Sequence, residues 1–378
     1  MKKFILNLLL NFYIFAKINT KLFKKHLLFV FLLSVSAIAQ TARKYSNEFL
    51  NIGVNAAALG MSNAVVAHTD DVHAGYWNPA GLVHVKDKQI ALMHASYFAN
   101  IAQYDYAAYA TPIDSVSSFG VSLIRFGVDN ILNTTQLIDN QGNIDYNRIS
   151  TFSAADYAGI LSYARKSKIK NLNYGANAKI VRRIIGDFAN SWGFGFDVGA
   201  QYQYQNWKFG AIVKDITTTV NVWSFDEKGL QDIQNAVPGQ NQELPEKTEI
   251  TLPKLQLGVA RNFIIKEKYS LLTAFNLNTR FARTNDIISS EKMSIDPAVG
   301  FQFGYANVVF VRAGLGNFQK ITQFDNSQKT QFQPNAGIGF QYRKIAIDYA
   351  LTNIGDINGS MYSNIFSLKV DFSAFAKK

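Results

Sequence analysis

Trp192 to Gln205 reads WGFGFDVGAQYQYQ, and its alternation decides the fold. Trp192, Phe194, Phe196, Val198, Ala200, Tyr202 and Tyr204 fall on one face. Gly193, Gly195, Asp197, Gly199, Gln201, Gln203 and Gln205 fall on the other. Successive side chains of a strand point to opposite faces, so this is a strand with one apolar and one polar side. Soluble sheets alternate too, but they do not need aromatic residues at so many strand ends. Transmembrane barrel strands run to about 9–11 residues, apolar outward and polar inward, with aromatic girdles.

The same period recurs in Ala336, Ile338, Phe340, Tyr342 against Gly337, Gly339, Gln341, Arg343, and in Phe366, Leu368, Val370, Phe372 against Ser367, Lys369, Asp371. Segments of this type lie near 88–99, 102–112, 116–127, 152–165, 172–185, 192–205, 207–214, 253–262, 269–281, 292–305, 308–315, 333–343, 345–352 and 362–372. These are about fourteen, an even number as in bacterial single-chain barrels. The long gaps 128–151, 215–252 and 316–332 follow odd strands, and the tight joins at Asn206, Ala306–Asn307 and Lys344 follow even ones. Short periplasmic turns and long outer loops produce that order. The expected fold is all-β: a fourteen-stranded antiparallel outer-membrane barrel over 88–372, with a short tail at 373–378.

The chain has 378 residues, no cysteine and a formal charge of +11. Disulfides, cysteine-based metal sites and a lipoprotein anchor are thereby excluded. Six lysines (Lys2, Lys3, Lys17, Lys21, Lys24, Lys25) and no acid lie in residues 1–39; without them the charge falls to +5, with no dense basic run. No nucleic-acid partner is expected. Lys21, Lys24 and Lys25 precede the apolar run Leu27 to Val35, and Ala37-Ile38-Ala39 supplies a small-x-small site. This is the pattern of an export signal over 1–39, cleaved after Ala39. A further apolar stretch, Phe4 to Ala16, lies upstream.

Between signal and first strand lies Gly60 to Leu82, GMSNAVVAHTDDVHAGYWNPAGL, which follows neither the strand nor the helix period. Asp70 and Asp71 can accept from backbone N–H groups at a helix start. Pro79 fixes its own φ and biases Asn78 towards extended backbone. Gly81 can take a positive φ. A barrel of about eight strands is filled by its own side chains, whereas one of about 16–18 is an open channel. Fourteen lies between, so residues 40–87 are expected to fold back as a plug in the lumen.

This stretch is similar to the N-terminal signature of FadL-type outer-membrane proteins, and its Tyr76-Trp77-Asn78-Pro79-Ala80-Gly81-Leu82 portion resembles the PorV/PorQ family. Ile345 to Phe372 and LPKLQLGVA, Leu252 to Ala260, resemble that family's closing hairpin and middle segment. His73 stands where the family more often has a small residue, and the tip Asn358 to Tyr362 lacks its usual His-Arg. The resemblance implies a FadL-like barrel associated with type IX secretion, binding translocon subunits, attachment proteins or secreted cargo. Gly60, Asp70, Asp71, Tyr76, Trp77, Asn78, Pro79 and Gly81 form the implied plug motif.

No catalytic, cofactor or metal site is expected. His68, Asp70, Asp71 and His73 are a possible ligand set by type, but local capping accounts for them. His84 and His94 have no obvious nucleophile beside them. The loop acids Asp226, Glu227, Asp232, Glu243, Glu246 and Glu249 lack the ordered spacing of a calcium loop. Phe366, Leu368, Val370 and Phe372 fit an assembly signal for the outer membrane. Three functions remain: a non-enzymatic secretion component, a channel for hydrophobic small molecules, and, much weaker, a barrel enzyme. Loop 215–252, rich in Gln231, Gln234, Gln240 and Gln242, leans towards protein contact.

Overall fold

The computed structural model describes residues 46–138, 141–226, 246–323, 325–352 and 362–372. All belong to one compact unit, Arg43–Lys378. The export signal with its cleavage site, the tail 373–378, the acids Glu227, Asp232 and Glu243, and residues 358–361 lie outside the described residues.

The strands are β1 (Gln89–Tyr97), β2 (Ala102–Pro112), β3 (Ser117–Asn133), β4 (Ser150–Lys166), β5 (Leu172–Ile185), β6 (Ala189–Tyr204), β7 (Trp207–Lys214), β8 (Thr219–Phe225), β9 (Thr248–Thr251), β10 (Lys254–Ile265), β11 (Tyr269–Arg280), β12 (Ile288–Ser289), β13 (Ser294–Tyr305), β14 (Val309–Thr322), β15 (Gln328–Tyr342), β16 (Ile345–Thr352) and β17 (Ser363–Asp371). β7 and β8 both pair with β6 and make one interrupted stave. β9 and β10 continue each other, β9 against β8 and β10 against β7. β12 is a two-residue spur on β13. The pieces therefore form a closed barrel of fourteen antiparallel staves. Closure comes from β1 against β17, from Gln89 opposite Asp371 to Ser96 opposite Asn364.

The alternation is realised inside out relative to a soluble sheet. Trp192, Phe194 and Phe196 are 50, 59 and 50% exposed, whereas Ser191 and Asp197 are 1 and 2% exposed. Aromatic and aliphatic residues thus cover the outside, where lipid is the solvent, and polar residues fill the inside.

Two of the expected outer gaps are shorter than the sequence suggests. β3 runs on to Asn133, β4 starts at Ser150, and β14 and β15 extend to Thr322 and from Gln328. Register shifts at Val128/Ile131 and Gly316/Gln319 mark where each ladder is bulged. Beyond the bulges, residues such as Asn133 and Gln331 need no apolar face, because a ribbon above the bilayer no longer meets lipid. The gap 215–252 likewise contains β8 and β9. Between β7 and β8, Asp215 (φ 55°) and Thr218 (φ 60°) take left-handed backbone. The Ile216 N–H still reaches the Phe196 carbonyl at 2.9 Å. Val213 pairs with Val198 and Val220 with Phe194, so β7–β8 carries the extra chain at this point.

Residues 46–87 lie against the inward side of the staves. They contain a 3-10 turn (Glu48–Asn51), helices α1 (Ala56–Leu59) and α2 (Ala74–Trp77), and a second 3-10 segment (Pro79–His84). On one side Val54, Leu59, Tyr76, Trp77 and Leu82 pack with Met93, Tyr104, Tyr106, Ile124 and Ile365 of the wall. Fully burying each large apolar side chain contributes about 1.5–3 kcal/mol. On the opposite side the wall offers glycine. A Cβ at Gly199 would overlap Asn78 Oδ1, and one at Gly210 would overlap the Val66 carbonyl. Glycine on the polar face of a stave is what lets the inner segment's backbone approach.

Gln141, exposed in the 134–149 connection on the long-loop end, should report orientation. The native chain has no thiol, so Gln141→Cys is expected to react with a membrane-impermeant maleimide on intact cells. Reaction only after lysis would reverse the orientation.

Candidate functional site

The inner segment is held by polar ties along its length. Asn78, fully buried and extended (φ −159°), accepts from the Ala80 N–H at 3.3 Å through Oδ1. Its Nδ2 donates to Val66 O (3.1 Å) within the segment, and to Ala200 O (3.1 Å) and Ala211 O (3.4 Å) on β6 and β7. Asn78 thus joins two limbs of the segment to two staves. Trp77 Nε1 donates to Val54 O at 3.1 Å, and Tyr76 OH to Leu50 O at 2.7 Å. Burial pushes the Tyr76 phenol up.

The two aspartates do different things. Asp71 Oδ1 accepts from the His73 N–H at 3.0 Å, the start of α2, and contacts the His73 ring Nδ1 at 3.0 Å. Lys369 Nζ of β17 donates to Asp71 Oδ2 at 2.6 Å. Burial alone would raise this carboxyl, but the Lys369 ammonium and His73 hold it well below the usual range. Asp70 caps no backbone and instead meets Lys208 of β7 at 3.3 Å. Gly81 does not take a positive φ. Its small size matters instead, because a Cβ there would overlap the Thr69 carbonyl. Gly60 lies with similar closeness against the Gly337 backbone. Pro79 opens the second 3-10 segment, where its missing N–H is not needed. At the other end of the segment Glu48 meets Lys254 at 3.1 Å.

The wall is equally polar where it faces inward. Lys179 reaches Asp197 at 2.7 Å and Asp215 at 2.6 Å, and Thr219 Oγ1 donates to Asp215 at 2.6 Å. Asn177 Nδ2 donates to Gly75 O at 2.9 Å, and Arg312 pairs with Asp348 at 2.7 Å. Buried charges persist where they are paired, and these are. Among the described residues no three His, Cys, Asp or Glu side chains converge as metal ligands. His94 is instead paired with Asp105 at 2.7 Å on the barrel's outer surface. Phe366 points outward and Ile365 inward on β17, with Leu368 opposite Leu92 of β1. Glu249 of the acidic loop is paired with Arg183 at 3.0 Å.

The inner segment divides the lumen. On the long-loop end lies a vestibule of about 640 Å³, reaching from Tyr97 and Thr352 down to Tyr76 and Trp77, with Lys214, Lys254, Arg280 and the amides of Gln256, Asn278 and Asn335 in its walls. On the short-turn end are chambers of about 200 and 270 Å³. Trp77 lines both the vestibule and the smaller chamber. α1, the residues Met61–Asn63 that follow it and this indole lie between them. Sequence reasoning reached Trp77 and, by alternation, the inward face of Lys369, though not its partner Asp71. It missed Lys208, Lys214 and Lys254.

No protein-family profile matches the chain, and no curated protein does. Solved structures do. The CymD monoaromatic hydrocarbon channel is 10% identical with a TM-score of 0.52, covering 85% of this chain and 98% of that one. The Pseudomonas putida toluene transporter TodX is 14% identical with a TM-score of 0.52, covering 85% and 99%. The Ralstonia pickettii toluene transporter TbuX is 12% identical with a TM-score of 0.50, covering 84% and 98%. At this identity the likeness is one of fold. The chain shares the barrel fold of these channels.

His68 lines both short-turn chambers, and its Nδ1 has no hydrogen-bond partner. Burial, reinforced by Lys208, pushes the imidazole down to about 4 from 6.5. The unfolded segment therefore binds a proton more tightly than the seated one. Stability is fully present above about pH 6.5 and falls as pH drops towards 4, by at most about 3 kcal/mol. The temperature at which the inner segment loosens, read from tryptophan fluorescence of the purified barrel, is expected to fall from pH 7 to pH 4.5. His68→Gln should flatten that response, and an equal response in the variant would remove His68 from this role. Separately, Gly199→Leu is expected to expel the inner segment, read as protease cleavage between 46 and 87 that wild type resists.

Proposed function

We propose that this barrel is a gated outer-membrane channel in which residues 46–87 act as the plug. A small molecule enters the vestibule from outside and reaches the short-turn chambers only when α1 and Trp77 yield. The observation that carries this reading is that one indole lines the compartments on both sides of the plug. The likeness in fold to channels for monoaromatic hydrocarbons and toluene supports it. The exposed aromatic and aliphatic face is the surface that outer-membrane lipid would cover.

One observation favours a second reading. The vestibule walls carry amides and charges, which suit a polypeptide better than a hydrocarbon. That agrees with the PorV/PorQ-like motif Tyr76 to Leu82 and with a role in type IX secretion, where partner subunits or cargo would engage the long-loop end. The acceptor there would bind without transporting.

Proteoliposomes separate the two. For a channel, wild-type protein should release a trapped small solute slowly and Trp77→Gly should release it about tenfold faster. If neither passes solute, while tagged protein from native membranes co-purifies with secretion subunits or cargo, the channel reading gives way to the second.

A further inference from the structure

The vestibule floor holds a cation that touches no anion; the nearest carboxylates acting on it, Asp197 and Asp215, contact Lys179 instead. Lys214, the last residue of β7 before the Asp215–Thr218 interruption, is 7% exposed and lines the vestibule. Its Nζ lies 4.5 Å from the Tyr76 ring centroid and 5.5 Å from that of Trp77. Among the described residues it has no carboxylate within 4 Å and no hydrogen bond. Its neighbours differ. Lys179 takes Asp197 and Asp215, Lys254 takes Glu48, and Arg280 takes Asp286 at 3.0 Å. The remaining acid of the vestibule, Asp296, accepts the Phe318 N–H at 3.1 Å.

A buried ammonium without an anion is costly, and two aromatic faces only partly offset that cost. Asp197 and Asp215 favour its charged form from a distance, and the one contact it lacks is a single carboxylate. A phosphate dianion would need a second cation, but Lys254 and Arg280 are already paired. Above the floor the walls present amide donors and acceptors, among them Gln256, Asn278 and Asn335. We infer that the vestibule floor is a binding subsite for the carboxylate of a small, hydrogen-bonding molecule, with Lys214 as the recognising group and Tyr76 and Trp77 beneath it. Sugar acids and short peptide acids share this chemistry. The inference rests on the vestibule being the ligand-accepting compartment of the proposed channel.

Calorimetry on the purified full-length barrel in detergent tests it with two pairs of probes: D-glucuronate against D-glucose, and N-acetyl-trialanine against its C-terminal amide. At least one acid should bind about tenfold or more tightly than its neutral counterpart, and which pair shows this identifies the source. Lys214→Arg should keep the preference and Lys214→Met should abolish it. The wild-type comparison stands even if Lys214→Met fails to fold, which its heat-dependent gel mobility would reveal. Equal binding within both pairs, no binding of either acid, or a preference that survives in folded Lys214→Met overturns the inference. Acid preference without solute release from proteoliposomes would sink the channel and leave the subsite standing. Solute release without acid preference would do the opposite.

Discussion

Inside hydrocarbon no backbone N–H or C=O can be left without a partner, and everything else in this chain answers to that constraint. It is met by closing β1 onto β17, which leaves the fourteen-stave wall without a free edge in lipid. Closure in turn fixes two environments, one wet with lipid and one sealed within. The period-two pattern sorts side chains between them, so Phe194 faces out while Asp197 faces in. A lumen of this width then needs contents. The chain supplies them from its own N-terminal segment, fitted to the wall by apolar packing on one side and by glycine and hydrogen bonds on the other.

The inner segment is unlike an ordinary core. Its apolar half packs as a protein interior does, around Tyr76, Trp77 and Tyr104. Its other half is secured by Asn78, Asp71, Asp70 and Glu48, bonded to the wall on β6, β7, β10 and β17. Such ties are strong only in their intended geometry, because a half-broken buried network leaves unpaired groups that cost more than the bonds return. The segment is therefore well seated or largely released, with little stability in between.

Much of the wall was legible because lipid imposes a rule on every second residue. The segments 102–112, 172–185, 207–214 and 345–352 coincide with β2, β5, β7 and β16. Legibility stops where the rule does. β3 and β15 continue as ribbons beyond the bilayer, where Asn133 and Gln328 carry no alternation. The interruption at Asp215–Thr218 was hidden by three threonines, which are good strand formers. In the plug, Asn78 and Trp77 could be marked from sequence, but their partners could not. Asp71 and Lys369 are 298 positions apart, and Lys214 owes its place to a break in a strand that no periodicity announces. Gly81 was read for its freedom of φ when its use is closeness to Thr69.

The Asp71–Lys369 pair also sets an order of events during biogenesis. Asp71 belongs to an early part of the chain and Lys369 to the final stave. The same stave seals the barrel, so its lysine arrives when the wall shuts. A nascent chain lacking residues 363–378 would lose the seam and the clamp together. A completed chain whose inner segment was still outside at that moment could enter only through a barrel mouth. The last strand carries both the seam and the clamp, so neither is complete until β17 has arrived.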